Sequence, residues 1–599
     1  MSPIRSTSIL LLAVISLCCT ADQVVNAAPI STANTSVFGP NVYVFDPSMP
    51  QADIQNLAMD IFKKMEASEF GAERYALLFK PGKYDVTFNV GFYTHVAGLG
   101  KLPDDVQING GVNVSAHWMP NANATCNFWR TLENFAVTPS STKGVTRIAV
   151  SQAAPLRRLH IKGELHLFEF DDKWNAGWAS GGFLADSLID GKVVPASQQQ
   201  WLSRNCKWAS WGNAVWNMVF VGCENAPSGK FPNPAYTVVD RTPVIREKPF
   251  LTVDGEGKYS VFVPGLQTDT QGISWANGAP AGRSIALDQF YVAQPATASA
   301  ASINKALAEG KHLLFTPGVY SFDETLKVTK ADTIVLGIGV PSLIPTKGLP
   351  VISVADVDGV TIAGLTLEAG VMKSASLLEV GPQGSRADHA ANPTFLFDLT
   401  VRTGGATPGK NDAGITINSK HTVADQIWLW RADHGAGAAW TTNPSKNGLV
   451  VNADHVTIYG LFNEHHEEYQ TVWNANGGRV YMYQSEMPYD VPDQKSWMSG
   501  PTNGYASYKV ADSVQTHEAW GLGVYSFFRD ADVKATSAIE APIVKGVKFH
   551  NMTTVWLTGK SGSEITHIIN DLGGRVHANT PAEAMRQTFN EFDGTKSEK

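Results

Sequence analysis

Leu77-Leu78-Phe79-Lys80-Pro81-Gly82-Lys83-Tyr84 and Leu313-Leu314-Phe315-Thr316-Pro317-Gly318-Val319-Tyr320 are two copies of one phrase, 236 residues apart. Each copy follows a helix-like stretch, Asp53 to Glu69 and Ser302 to Glu309, and leads into an apolar strand closing on Gly-x-Gly, Val96 to Gly100 and Val335 to Gly339. The duplication predicts two halves of one architecture, each opening with a short helix. Within the halves run short β-branched segments such as Val351 to Val354, Val360 to Leu365, Gly414 to Asn418, Gly448 to Asn452 and Val456 to Leu461, punctuated by Gly, Asn and Asp. Strands this short, repeated without intervening helices, predict coils laid strand on strand. A β-sandwich is the alternative that the same pattern admits. The expectation is an all-β chain of two tandem right-handed parallel β-helices, over 29–290 and 291–575. A polar tail over 576–599 is expected outside them, as a cap or a loose end.

Composition narrows the function. The 599 residues carry 47 Lys plus Arg against 55 Asp plus Glu, a net charge of −8, which exerts no general pull on nucleic acid or anionic lipid. Charged residues at 17 % and 53 glycines argue against coiled coil and disorder. Arg5, the apolar run Ile9 to Cys19 and the small residues Ala21 and Ala27-Ala28 follow the order of a secretory signal over residues 1–28. No later segment reaches the ~20 apolar residues of a membrane span. A secreted, extracellular monomer is expected. Cys126, Cys206 and Cys223 remain after the signal, enough for one disulfide and wrongly spaced for structural zinc. Asn34, Asn113, Asn123 and Asn551 lie in Asn-x-Ser/Thr sequons, glycan acceptors only in a eukaryotic host.

The densest polar cluster is Asn463-Glu464-His465-His466-Glu467-Glu468-Tyr469-Gln470, followed by Tyr483-Gln484-Ser485-Glu486-Met487-Pro488-Tyr489-Asp490. Glu464 and Glu486 are 22 residues apart, close to one coil, so they are expected to stack on one face. Two carboxylates on one face suit glycoside hydrolysis, and crowding raises the pKa of one of them. Glu467 and Glu468 read as a solvated loop. His465 and His466, adjacent on a strand, point to opposite faces and do not chelate one ion. Gly435-Ala436-Gly437 and Gly521-Leu522-Gly523 read as turns. Trp428, Trp430, Trp440, Trp473, Trp497, Tyr489 and Tyr505 are candidates either for stacking on sugars or for the core.

The second half resembles glycoside hydrolase family 55, secreted β-1,3-glucanases built as two β-helices in one chain. The resemblance is carried by Glu464 to Gln470, Gln484 to Tyr489 and Gly521 to Phe528, with Ser151-Gln152-Ala153, Ser180-Gly181-Gly182-Phe183 and Gln199 to Asn205 in the first half. It implies an inverting, exo-acting hydrolase of neutral glucan whose site lies where the two β-helices meet, needing no metal or organic cofactor. Glu486 falls on the general acid, Glu464 on the carboxylate beside the attacking water, and Gln152 and Ser180 on residues that hold that water. His465, Gln470, Tyr489, Trp440, Trp473, Tyr505 and Gln200 are the candidates for substrate contact. Simple stacking places the two carboxylates nearer the ~5 Å of retaining enzymes than the separation inverting enzymes use, unless the chain turns outward at Met487-Pro488. The chain departs from the family pattern at Asp46 to Asp53, and Trp428 to Gly437 has no placed counterpart, so it reads as a divergent relative. A polysaccharide lyase and a non-catalytic wall-binding β-helix are the alternatives; the acidic balance weighs against a lyase of uronates.

Overall fold

The computed structural model describes residues 37–141, 143–578 and 584–595. The expected signal over 1–28 and the sequon at Asn34 lie outside the described residues. The repeated phrase opens each half as the sequence suggests. Tyr75–Phe79 pairs in parallel with Val42–Phe45 on one side and Thr94–Gly98 on the other. Its counterpart His312–Phe315 pairs in parallel with Phe290–Ala293 and Ile334–Gly337. The Pro-Gly of each phrase packs under a proline: a Cβ on Gly82 would meet Pro47 at 2.6 Å, and one on Gly318 would meet Pro295 at 2.5 Å. The first half builds a 16-stranded sheet and the second builds sheets of 14 and 10 strands, their ladders running parallel from coil to coil. Parallel ladders of this kind set the sandwich aside. The result is two parallel β-helices.

Two short helices sit at the heads of the coils. α1 (Gln51–Met65) buries Ile54, Leu57, Ile61 and Met65, spaced for one face. It starts two residues before the expected stretch and stops four before its end. α2 (Ala300–Ala308) is capped by Ser299, whose hydroxyl accepts from the Ser302 N–H at 3.1 Å. Antiparallel strands between Thr242 and Ala286 join the halves. At the far end Arg586–Phe592 lies antiparallel on Val547–Gly559, covering that sheet edge; residues 579–583 and 596–599 of the tail lie outside the described residues. Cys126, Cys206 and Cys223 are free thiols. Among the described residues no helix is long and apolar enough to cross a membrane.

The β-helices dock flank to flank, and the contact corrects one sequence reading. Gly521-Leu522-Gly523 is no turn but the middle of the strand His517–Phe528. A Cβ on Gly521, at φ +68°, would fall 2.4 Å from Val219, and one on Gly523 would fall 2.2 Å from the Gln200 amide oxygen. Those glycines let the first β-helix approach. Buried charge then locks the approach. Arg157 contacts Asp398 and Asp425, each at 2.6 Å, and Arg204 contacts Asp425 at 2.9 Å and Glu247 at 2.6 Å. Lys248 joins Asp398 at 3.1 Å to Glu133 at 2.7 Å. Asp425, fully buried, serves both arginines. Replacing it with Ala removes the carboxylate the two buried guanidinium groups share and leaves each with a single acidic partner, so we expect Asp425→Ala to lower the stability of the full chain by about 3–5 kcal/mol in urea unfolding. A loss below about 1 kcal/mol would show that the network is dispensable.

Candidate functional site

The strands Thr457–Glu464 and Gly478–Glu486 are neighbouring coils that end together, with Glu464 directly opposite Glu486. The next strand back places Trp430 opposite Glu464, so Trp430, Glu464 and Glu486 form one column across three coils. Strand alternation puts Trp428 on the same face as Trp430. Just past the strand end His465 takes φ +67°, turning the chain out of the ladder. The column faces a cavity of about 270 Å³ between the β-helices. The first half supplies Thr125, Cys126, Gln152, Ser180 and Gln199 to its wall.

The two carboxyls differ in their partners. Glu464 accepts from the Gln152 amide at 2.9 Å on one oxygen and from the Trp428 indole N–H at 2.8 Å on the other. The Ser180 hydroxyl donates to the Gln152 amide oxygen at 3.0 Å, which turns the amide N–H₂ toward Glu464. Glu486 pairs with the Tyr489 hydroxyl and lies 3.9 Å from His465 Nε2. Burial, then the charges of Glu464 and Asp433, push the Glu486 carboxyl well above the usual range. Burial also raises Glu464, and the two hydrogen bonds that favour its ionised form act against that rise. Of the proton the pair retains, Glu486 is the better holder, because Glu464 has a donor on each oxygen. The arrangement offers one buried acid beside one oriented carboxylate.

A second charged group borders the pair. His434 lies between Asp433, 3.0 Å from its Nδ1, and Glu69, 2.7 Å from its Nε2. Burial opposes charge on His434, but the two carboxylates outweigh it and hold the imidazole protonated well above its ordinary range. Asp433 is held correspondingly low: burial opposes its charge, and His434 and His465 more than compensate. Glu69, Cys126 and His434 bring donor atoms within 4.8 Å of one another, the one trio among the described residues that could share a metal ion. His465 and His466 do not share a ligand position: His466 turns to the Ser445 hydroxyl at 2.8 Å.

Of the predicted residues, Glu486, Glu464, Gln152, Ser180, His465 and Tyr489 line the cavity. Five others do not. Gln200, the first residue of its strand, turns away from the cavity that Gln199 lines and ties the β-helices together, donating to the Tyr483 and Gly521 carbonyls at 3.3 and 3.2 Å. Gln470 closes the loop 466–470, accepting from the His466 N–H at 2.7 Å and donating to its carbonyl at 2.8 Å. Trp473 is fully buried in the second core against Tyr508 and His517. Trp440 lies under the Arg431 guanidinium, 5.4 Å from ring centre to charge. Tyr505 packs edge-on against Tyr469. Glu467, read as a solvated loop residue, is largely covered, and burial raises it to about 7. Asp433 and His434 were not singled out; both lie in the segment Trp428 to Gly437, which stood apart only as a stretch without a counterpart.

Known proteins resemble this chain over most of its length. Residues 290–486 match the model of the LAM55 pectate lyase-like domain. An exo-β-1,3-glucanase from Streptomyces sp. (strain SirexAA-E / ActE) is 50 % identical over 553 residues, covering 92 % of this chain and 89 % of that protein. A glucan 1,3-β-glucosidase from Cochliobolus carbonum is 26 % identical over 334 residues, 47 % of this chain and 40 % of that protein. The solved structure of sacteLam55A from Streptomyces sp. SirexAA-E superposes with a TM-score of 0.88 at 48 % identity, over 93 % of this chain and 98 % of that one. A variant of that protein has been solved in complex with glucose.

Proposed function

This chain belongs to glycoside hydrolase family 55, and from that premise we propose that it hydrolyses β-1,3-glucan at a chain end, by single displacement, outside the cell. The observation that carries the reading is the pair Glu464 and Glu486, buried side by side in one column with unequal partners. Glu486 protonates the glycosidic oxygen as the bond to the anomeric carbon breaks. Water held near Glu464 and the Gln152–Ser180 chain attacks that carbon and passes its proton to Glu464. Both Glu464 oxygens already accept a hydrogen bond, which supports water rather than the carboxylate as nucleophile. Two relatives named for β-1,3-glucan support the substrate, and the printed name of one of them, an exo-β-1,3-glucanase, supports attack at a chain end. The Arg5 to Ala28 pattern supports secretion. All groups the mechanism uses are side chains and water.

The roles of the two glutamates separate by leaving group. Glu486→Gln should cut turnover of laminarin by about 10² to 10⁴ while keeping most activity on an activated dinitrophenyl β-glucoside, which needs no protonation to depart. Glu464→Gln should lose both. Proton NMR of the wild-type reaction should show α-glucose first. Equal losses on both substrates for Glu486→Gln, or β-glucose first, would contradict the mechanism.

The pH profile provides a second check. Glu486 acts protonated, so kcat/KM falls as pH rises through its pKa, and negative charge at Asp433 holds that pKa up. Asp433→Asn should therefore move the alkaline limb of kcat/KM toward acid. A limb that stays in place, or moves to higher pH, would show that Asp433 does not tune the acid.

A further inference from the structure

A cavity of about 520 Å³ lies in the first β-helix and shares no lining residue with the pocket of about 270 Å³ between the β-helices. Its floor is a ladder. Asn89 pairs in register with Asn113, the Asn113 side chain accepts from the Arg147 N–H at 3.0 Å, and Arg147 pairs in register with His166. Four polar side chains on four successive coils, each about 4.8 Å from the next, make a strip about 14 Å long across the coils. The Arg147 guanidinium is neutralised by the buried Glu169 carboxylate at 2.8 Å, so the floor offers hydrogen-bonding edges rather than a strong field.

One wall is aromatic and held out into solvent. Phe170 and Trp174 sit with ring centres 5.6 Å apart, and the Trp174 side chain is 76 % exposed. Nothing in the fold is stabilised by burying that indole. Its loop is nevertheless fixed: the Asp171 carboxylate accepts from the Lys173 and Asn175 N–H groups, each at 2.8 Å, and Phe170 bridges to Ala176. Trp174 itself sits at φ +63°, a conformation that costs a bulky residue about 1 kcal/mol or more. A rigid, strained loop that projects a flat apolar face over a ladder of amides and imidazole matches the chemistry of a neutral oligosaccharide, whose rings stack through C–H faces and hydrogen-bond at their rims.

We propose that this cleft is a second glycan site, which holds an internal stretch of a β-1,3-glucan chain away from the catalytic pocket. The identity of the glycan rests on the function proposed above; the existence of the site rests on the cleft alone. A pocket that takes only chain ends gains little contact with a long polymer, and a second grip on the chain raises the local concentration of ends.

The test separates the two readings. Full-length Glu486→Gln, which cannot digest the gel, is compared with the double variant Glu486→Gln/Trp174→Ala by native electrophoresis through laminarin. In parallel, kcat/KM on laminaritriose is measured for wild type and Trp174→Ala alone. The expected result is about tenfold weaker retardation of the double variant with unchanged kcat/KM on the trisaccharide. Equal retardation of the two gel proteins overturns the second site, whatever the trisaccharide shows. A fall in trisaccharide turnover with Trp174→Ala also overturns it, because the indole would then belong to the catalytic pocket. Loss of retardation with no turnover of trisaccharide by either protein supports the cleft while refuting the hydrolase reading.

Discussion

The structure depends on keeping two parallel β-helices in one fixed register against each other. Arg157 and Arg204, on strands of the first, reach across to Asp398 and Asp425 on strands of the second, all four buried. Such a network is a poor source of net stability, because removing charges from water costs about as much as their attraction returns. Its effect is geometric: the pairs are satisfied in one docking position, and a shift along the coils would leave a charge stranded. The glycines opposite Val219 and Gln200 allow the backbones close enough for that position to form.

The site inherits this register. Glu464 belongs to the second β-helix, yet the donor on one of its oxygens, Gln152, belongs to the first, oriented in turn by Ser180. A slip of one coil spacing would break that hydrogen bond and leave Glu464 with Trp428 as its one donor. The unequal treatment of two stacked carboxyls, one with a donor on each oxygen and one pushed to hold its proton, is thus a product of the docking and not of either half. The imidazolium of His434 and the low Asp433 beside it set the local field in which the pair titrates.

Much of this was legible in the sequence. The duplicated phrase and the short β-branched runs reported the tandem coils, because a coil repeats its backbone solution each time it turns. The 22-residue spacing of Glu464 and Glu486 reported their stacking, since a coil is about that long. What sequence could not show was which flank of each coil faces the other β-helix. Gly521 and Gly523 therefore looked like turn residues, although they serve a strand-to-strand approach. Gln200 opens its strand facing the second β-helix, whereas Gln199, in the bend just before it, faces the cavity. Trp473 and Tyr505 carried the composition of a sugar platform but lie in and against the core, and aromatic identity does not distinguish the two. Asp433 and His434 act through partners distant in sequence, such as Glu69, so no local spacing pointed to them.

The central claim is that the buried pair retains one proton at neutral pH and that Glu486 holds it. The most direct measurement is a carboxyl titration by NMR of full-length protein carrying δ-carbon-labelled glutamate, with the Glu486 resonance assigned by its absence from Glu486→Gln. A Glu486 carboxyl still protonated at pH 7, well above the ordinary value of about 4.3, is the predicted result. A Glu486 signal that titrates near that ordinary value, or a retained proton that resides on Glu464, would contradict the account.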